Sequence, residues 1–75
     1  MKYRDVIARL RQFGVQEYRA RGKGSERLLI RETTPGSGKG PQYTLTCHGE
    51  GHEVAPGTLR ACLRRLGIAP EDFFE

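Results

Sequence analysis

The sequence predicts a two-layer α+β domain: an antiparallel three-stranded sheet with two helices packed on one face. Three observations predict it. Apolar residues recur at helical spacing near both ends of the chain, at Tyr3, Val6, Ile7, Leu10 and Phe13 and again at Leu59, Cys62, Leu63 and Leu66. Between these segments lie three short runs rich in strand formers, separated by turns that carry glycine. The order is therefore helix, strand, strand, strand, helix, and sequential strands in a meander bury their apolar face most simply under both helices. At 75 residues the chain makes one domain, 1–75.

The first helix places Lys2, Arg4, Asp5, Arg9, Arg11 and Gln12 between its apolar residues, so its outer face is charged, and Gly14 follows as its stop. Val15 to Ala20 forms the first strand, with Val15, Glu17 and Arg19 opposite Gln16, Tyr18 and Ala20. Arg27 to Glu32 forms the second. Residues 33–41 hold three glycines, two prolines, a serine and a lysine and form a Gly/Pro-rich loop. That loop is long for a hairpin connection, which reads either as an insertion or as a flap over a ligand. Gln42 to Cys47 forms the third strand, with Tyr43, Leu45 and Cys47 on one face. Pro56 suits the first turn of the second helix, where its missing N–H costs nothing, and Gly67 closes that helix. Ile68 packs back on the core. Pro70 to Phe74 is a short terminal turn whose phenylalanines either cap the core or offer a partner contact.

The charge is distributed unevenly. Residues 1–40 carry ten Lys/Arg against four Asp/Glu, a balance of +6, and residues 41–75 carry three against five, a balance of −2. A basic half on a small domain favours a polyanion such as RNA. A chain this short has no room for a deep substrate cavity, so a site is expected at a surface groove or loop. Two cysteines make no secreted disulfide framework, and the first residues lack the apolar run of a signal peptide. No segment approaches a membrane span. A cytoplasmic protein with reduced thiols and no membrane association is expected.

The densest chemical signal is Arg21-Gly22-Lys23-Gly24-Ser25-Glu26-Arg27. Glycines let backbone N–H groups approach a ligand closely, successive N–H groups at a turn make an anion-binding concavity, and Lys and Arg beside it suit phosphate. Arg21, Lys23, Gly24, Ser25 and Arg27 are the candidate phosphate-binding residues. The stretch lacks the spacing of a P-loop or a dinucleotide fingerprint. Its simpler reading is a hairpin turn with solvated charges. Helix, three strands and helix is also the layout of double-stranded-RNA-binding modules, which read RNA by shape and backbone contacts.

The chain resembles the HicA family of small mRNA-cleaving toxins from HicA–HicB toxin–antitoxin pairs. The features that carry the resemblance are an opening helix ending in Phe13-Gly14, Gly24-Ser25 before the second strand, and a third strand ending in His48. To these are added Pro56-Gly57-Thr58-Leu59-Arg60, then Leu63, Leu66-Gly67-Ile68 and an acidic-aromatic end. The resemblance implies a dsRBD-like fold, RNA as substrate, ribosome-independent cleavage and a HicB-type antitoxin as protein partner. In the family a catalytic histidine typically follows the Gly-Ser pair; here that position is Glu26.

RNA cleavage by a 2′-hydroxyl needs a base for that hydroxyl and an acid for the leaving 5′-oxygen. A carboxylate and a histidine at one phosphate suffice. Glu26 as base and His48 as acid are the candidate catalytic pair, with Lys23 or Arg27 on the phosphate, in a metal-independent endoribonuclease that uses no cofactor. For Glu26 the competing reading is a surface salt bridge to Arg27 or Arg21, and for His48 a loop histidine without a task. Two other functions fit the same scaffold: a non-catalytic nucleic-acid-binding module and a protein-interaction domain. Cys47, His48, His52 and Cys62 match no standard zinc spacing, so no metal site is expected. The oligomeric state is not legible.

Overall fold

A computed structural model of the 75-residue chain describes residues 1–19 (Arg19 by its backbone), 26–46, 49 and 51–74. Helix α1 spans Tyr3–Arg11, and strands β1 (Val15–Arg19), β2 (Glu26–Arg31) and β3 (Gln42–Thr46) follow. Helix α2 spans Pro56–Leu66 and a single turn, α3, spans Pro70–Phe73. The strands form one antiparallel sheet in the order β1-β2-β3, so β2 is central. This is the expected α+β architecture, with a dsRBD-like element order. Three element ends differ from the sequence reading, those of β2 both lying one residue earlier, with its last residue Arg31 rather than Glu32. Helix α1 stops at Arg11, the following residues tightening into a turn, and β2 starts at Glu26. Strand β3 is described as far as Thr46; its expected last residue, Cys47, lies outside the described residues.

Both helices pack on the same face of the sheet. The core joins Val6, Ile7 and Leu10 of α1 to Val15, Leu29 and Leu45, one from each strand, and to Leu59, Cys62, Leu63 and Leu66 of α2. Val15, Leu29 and Leu45 share a face because the pleat alternates and the register pairs Glu17 with Leu29 and Arg27 with Leu45. Burying Cys62 away from water disfavours its thiolate and pushes the thiol up to about 11. Cys62 is therefore a small core side chain rather than a nucleophile.

Four local devices fix the layers. Helix α2 ends in a left-handed Gly67 (φ 73°), where Ile68 N–H donates to Leu63 carbonyl at 2.9 Å and Gly67 N–H to Arg64 at 3.2 Å. That bond pair is a Schellman stop, and it turns Ile68 back onto the core. At the chain start, Tyr3 N–H donates to His52 carbonyl at 2.7 Å and Val54 N–H to Met1 carbonyl at 2.9 Å, which moors the entry to α2 against the entry to α1. Beneath the helices, Glu17 accepts from the Tyr3 hydroxyl and lies 3.8 Å from both Arg11 and Arg27. Finally, Arg31 at the end of β2 donates Nε to Phe13 carbonyl at 3.2 Å and Nη1 to the carbonyls of Leu66 and Gly67 at 3.1 and 2.9 Å. One guanidinium thus caps the C-terminal ends of both long helices.

The loop between β2 and β3 is organised by Glu32. Its carboxylate accepts the Tyr18 hydroxyl and the N–H groups of Gly36 at 2.9 Å and Gly38 at 2.8 Å. The Tyr18 bond, then the Gly36 amide, hold the Glu32 carboxyl below its ordinary value; desolvation opposes them and the Gly38 amide adds the smallest lowering. A depressed folded value means this contribution is full above the unfolded carboxylate pKa of about 4.3 and is lost as pH falls through the lower folded value. In an acid titration followed by NMR, the Gly36 and Gly38 amide resonances will shift together below about pH 4.3. Glu32→Gln will remove that shared inflection; two unrelated titrations would show that Glu32 does not hold the loop.

Candidate functional site

Each residue of β2 can be assigned a face from the register. Leu29 points into the core, so Arg27 and Arg31 share the helix-bearing side, whereas Glu26, Leu28 and Ile30 point to the opposite, helix-free (open) face, where Ile30 is buried and Glu26 and Leu28 are half-buried. Gln16, Tyr18, Gln42, Thr44 and Thr46 complete that open face. Glu26 is the first residue of β2 and lies directly opposite Thr46, the last described residue of β3. His48 follows Thr46 by two residues, and Ser25 precedes Glu26 by one. The candidate residues Arg21, Lys23, Gly24, Ser25 and His48 lie outside the described residues, as does Cys47.

Glu26 and Arg27 are adjacent in sequence but are sent to opposite faces by the pleat. Arg27 Nε lies 3.8 Å from Glu17, and its Nη1 donates to the Glu26 carbonyl at 3.1 Å. Sequence reading set both at one phosphate; as consecutive residues of β2 they project to opposite faces instead. Tyr18 is 38% exposed on the open face, and its hydroxyl is engaged by Glu32. That acceptor raises the Tyr18 phenol above its ordinary value, because ionisation would remove the bond and put two negative charges together. Tyr43 is half-buried against the core. Among the described residues, no three of His, Cys, Asp and Glu are grouped to hold a metal ion.

A family model described as HicA toxin of bacterial toxin-antitoxin matches residues 3–68. The chain belongs to the HicA toxin family. The matched span covers α1, the whole sheet, α2 and the Gly67–Ile68 stop, and leaves α3 outside. The comparisons with curated proteins and with solved structures return no match. Membership in a HicA toxin family makes this a toxin of a toxin–antitoxin system, with an antitoxin as counterpart. Among the described residues no helix is long and apolar enough to cross a membrane.

Sequence reading separated the faces of β1 and β3 but did not join them into one surface with Glu26. The glycine turn drew attention to Arg21–Arg27, yet the open face assembles Gln16, Tyr18, Glu26, Thr44 and Thr46 from all three strands. The alternation of Gln42, Thr44 and Thr46 with Tyr43 and Leu45 was the available signal, since it marks the polar side of a half-buried strand.

Proposed function

We propose that this HicA-family chain is a metal-independent endoribonuclease that cleaves mRNA in the cytoplasm and is held inactive by a HicB-type antitoxin. The observation that carries the reading is the pairing of Glu26 with Thr46. It sets the residue that follows Gly24-Ser25 at the same end of the sheet as the chain leading into His48. In this reading the Glu26 carboxylate takes the proton of the RNA 2′-hydroxyl as that oxygen attacks phosphorus. His48, protonated, gives its proton to the departing 5′-oxygen, leaving a 2′,3′-cyclic phosphate and a free 5′-hydroxyl. Arg21, Lys23 and the Gly24–Ser25 amides neutralise the charge that grows on the phosphate. Arg27 faces the other side and holds Glu17, so it contributes to this charge only by leaving that partner.

The test is cleavage of a long mixed-sequence RNA in EDTA at low salt. Wild-type protein is expected to produce cyclic-phosphate ends, and Glu26→Gln and His48→Ala each to lose about a hundredfold or more in rate, the usual range for removing a general base or acid. Cleavage retained in both variants overturns the catalytic pair. Salt-dependent RNA binding without cleavage, in wild type and variants alike, would establish instead a non-catalytic RNA-binding module.

A further inference from the structure

Strand β3 is an outer strand of the sheet, and the ladder shows which of its backbone groups are unused. Arg31 N–H donates to Pro41 carbonyl at 2.8 Å, which makes Arg31 and Pro41 a hydrogen-bonded pair. Hydrogen-bonded and open pairs alternate along an antiparallel ladder. Tyr43 and Leu45 therefore direct their N–H and C=O toward β2, while those of Gln42, Thr44 and Thr46 point outward along the free edge. A trough follows this edge. One end is a cleft of about 870 Å³ lined by Gln42, Tyr43, Thr44, Ala61, Arg64 and Arg65. The other, of about 340 Å³, runs past Leu45 and Thr46 to Val54 and Thr58, and the two share Tyr43 and Thr44.

The trough is basic at its Arg64–Arg65 end; at the other end Glu53 lines it and pairs with the N-terminal ammonium at 3.3 Å. Arg64 and Arg65 are exposed, and no carboxylate among the described residues lies within ion-pair distance of either. Half-buried Tyr43 and the Ala61 methyl line the same cleft as the two arginines. We infer that the free edge of β3 takes an extended acidic segment of a partner protein as a fourth strand, with its acidic side chains reaching Arg64 and Arg65. A polypeptide fits better than a nucleic acid, because the edge offers donors and acceptors in alternation, which a phosphate backbone cannot match, whereas a peptide strand matches them residue for residue. The inference rests on the toxin–antitoxin reading for the existence of a protein partner and adds the surface and the chemistry of the contact.

The probe is a fluorescein-labelled seven-residue peptide alternating glutamate and valine, measured by fluorescence anisotropy without RNA. Saturable binding is expected, weakened about tenfold or more by Arg64→Glu with Arg65→Glu. Thr44→Pro is expected to abolish it, since proline removes an outward N–H and edge strands accept proline. Two N-methylated peptides keep the test decisive on wild-type protein should that variant unfold. Only alternate residues of an added strand bond to β3, so methylating the glutamates and methylating the valines must differ: one peptide binds and the other does not. No binding, or equal binding of both methylated peptides, overturns the proposal. So does loss of RNA binding in a folded Thr44→Pro variant whose wild type ignores the peptide, which would make the trough a nucleic-acid site. Cleavage is assayed without peptide, so failure of this proposal and failure of the ribonuclease reading are separate results.

Discussion

Arg31→Ala will lower the stability of this domain by about 3 kcal/mol, at the upper end for hydrogen bonds to a charged group. For a domain of this size that corresponds to a fall in melting temperature of roughly 12–24 °C. The reason is the position of the guanidinium. It emerges from the central strand on the helix-bearing side and donates to Phe13, Leu66 and Gly67 carbonyls within 2.9–3.2 Å. Leu66 ends α2, Gly67 is its cap and Phe13 lies two residues past the end of α1, so the guanidinium sits at both helix C-termini, where the dipole favours a cation. Alanine leaves two half-buried acceptors, Phe13 and Leu66, and the exposed Gly67 carbonyl short of a donor and releases both helix ends from the sheet. Arg31→Lys will recover only part of the loss, because one ammonium does not reproduce a planar fork spanning two helices. Thermal melts followed by circular dichroism decide the matter. A melting temperature within about 3 °C of wild type for Arg31→Ala would mean the clamp contributes little.

Phe73→Ala will cost about 3–5 kcal/mol, the range for emptying a buried aromatic site. The side chain is 1% exposed, stacks on Phe13 at 6.3 Å between ring centroids, and its carbonyl accepts from Arg9 Nη1 at 2.7 Å. In a small domain whose total stability is of order 4–11 kcal/mol, such a loss unfolds a sizeable fraction of molecules at physiological temperature. Phe74 is the control. It is 52% exposed and meets Phe73 edge-on, so Phe74→Ala will cost less than about 1 kcal/mol. Urea denaturation of the two variants separates the two readings of the C-terminal turn. Equal effects would mean the segment does not seal the core; the expected asymmetry assigns Phe73 to the core and leaves only Phe74 for a partner.

Much of the fold was legible because helices and strands bury apolar residues at different periods. Tyr3, Val6, Ile7 and Leu10 announced α1, and Leu59, Cys62, Leu63 and Leu66 announced α2; all are buried. Gly67 and Pro56 marked the ends of α2 through backbone constraints that act without tertiary help. The Gly/Pro-rich loop was equally plain, but not its organiser. Glu32 reads as an ordinary charged residue at a strand end, and only folding brings Tyr18 and two glycine amides to one carboxylate.

The candidate site was legible in part. The residues at Gly24-Ser25-Glu26 and His48 stood out by type and by resemblance, and they lie within the family-matched span 3–68. The sequence could not assign faces within β2, because Glu26 to Arg31 alternates poorly: charged residues occur on both sides and Leu28, Leu29 and Ile30 are consecutive. The helix-facing charges are tolerated only because their partners come from elsewhere, Tyr3 and Arg11 for Glu17, and the ends of both helices for Arg31.

By itself the sequence determined the order and kind of elements, the stops of α2, a basic N-terminal half and membership of the family. These are properties of local spacing and residue chemistry. The tertiary structure alone decided that Glu26 and Arg27 part to opposite faces, that Glu26 lies opposite Thr46, and that Arg31 joins both helices to the sheet. It also decided which edge of the sheet is left open beside Arg64 and Arg65. Strand register and strand order depend on partners distant in the chain, and a side chain's face changes with a one-residue shift in that register, so no local pattern carries them.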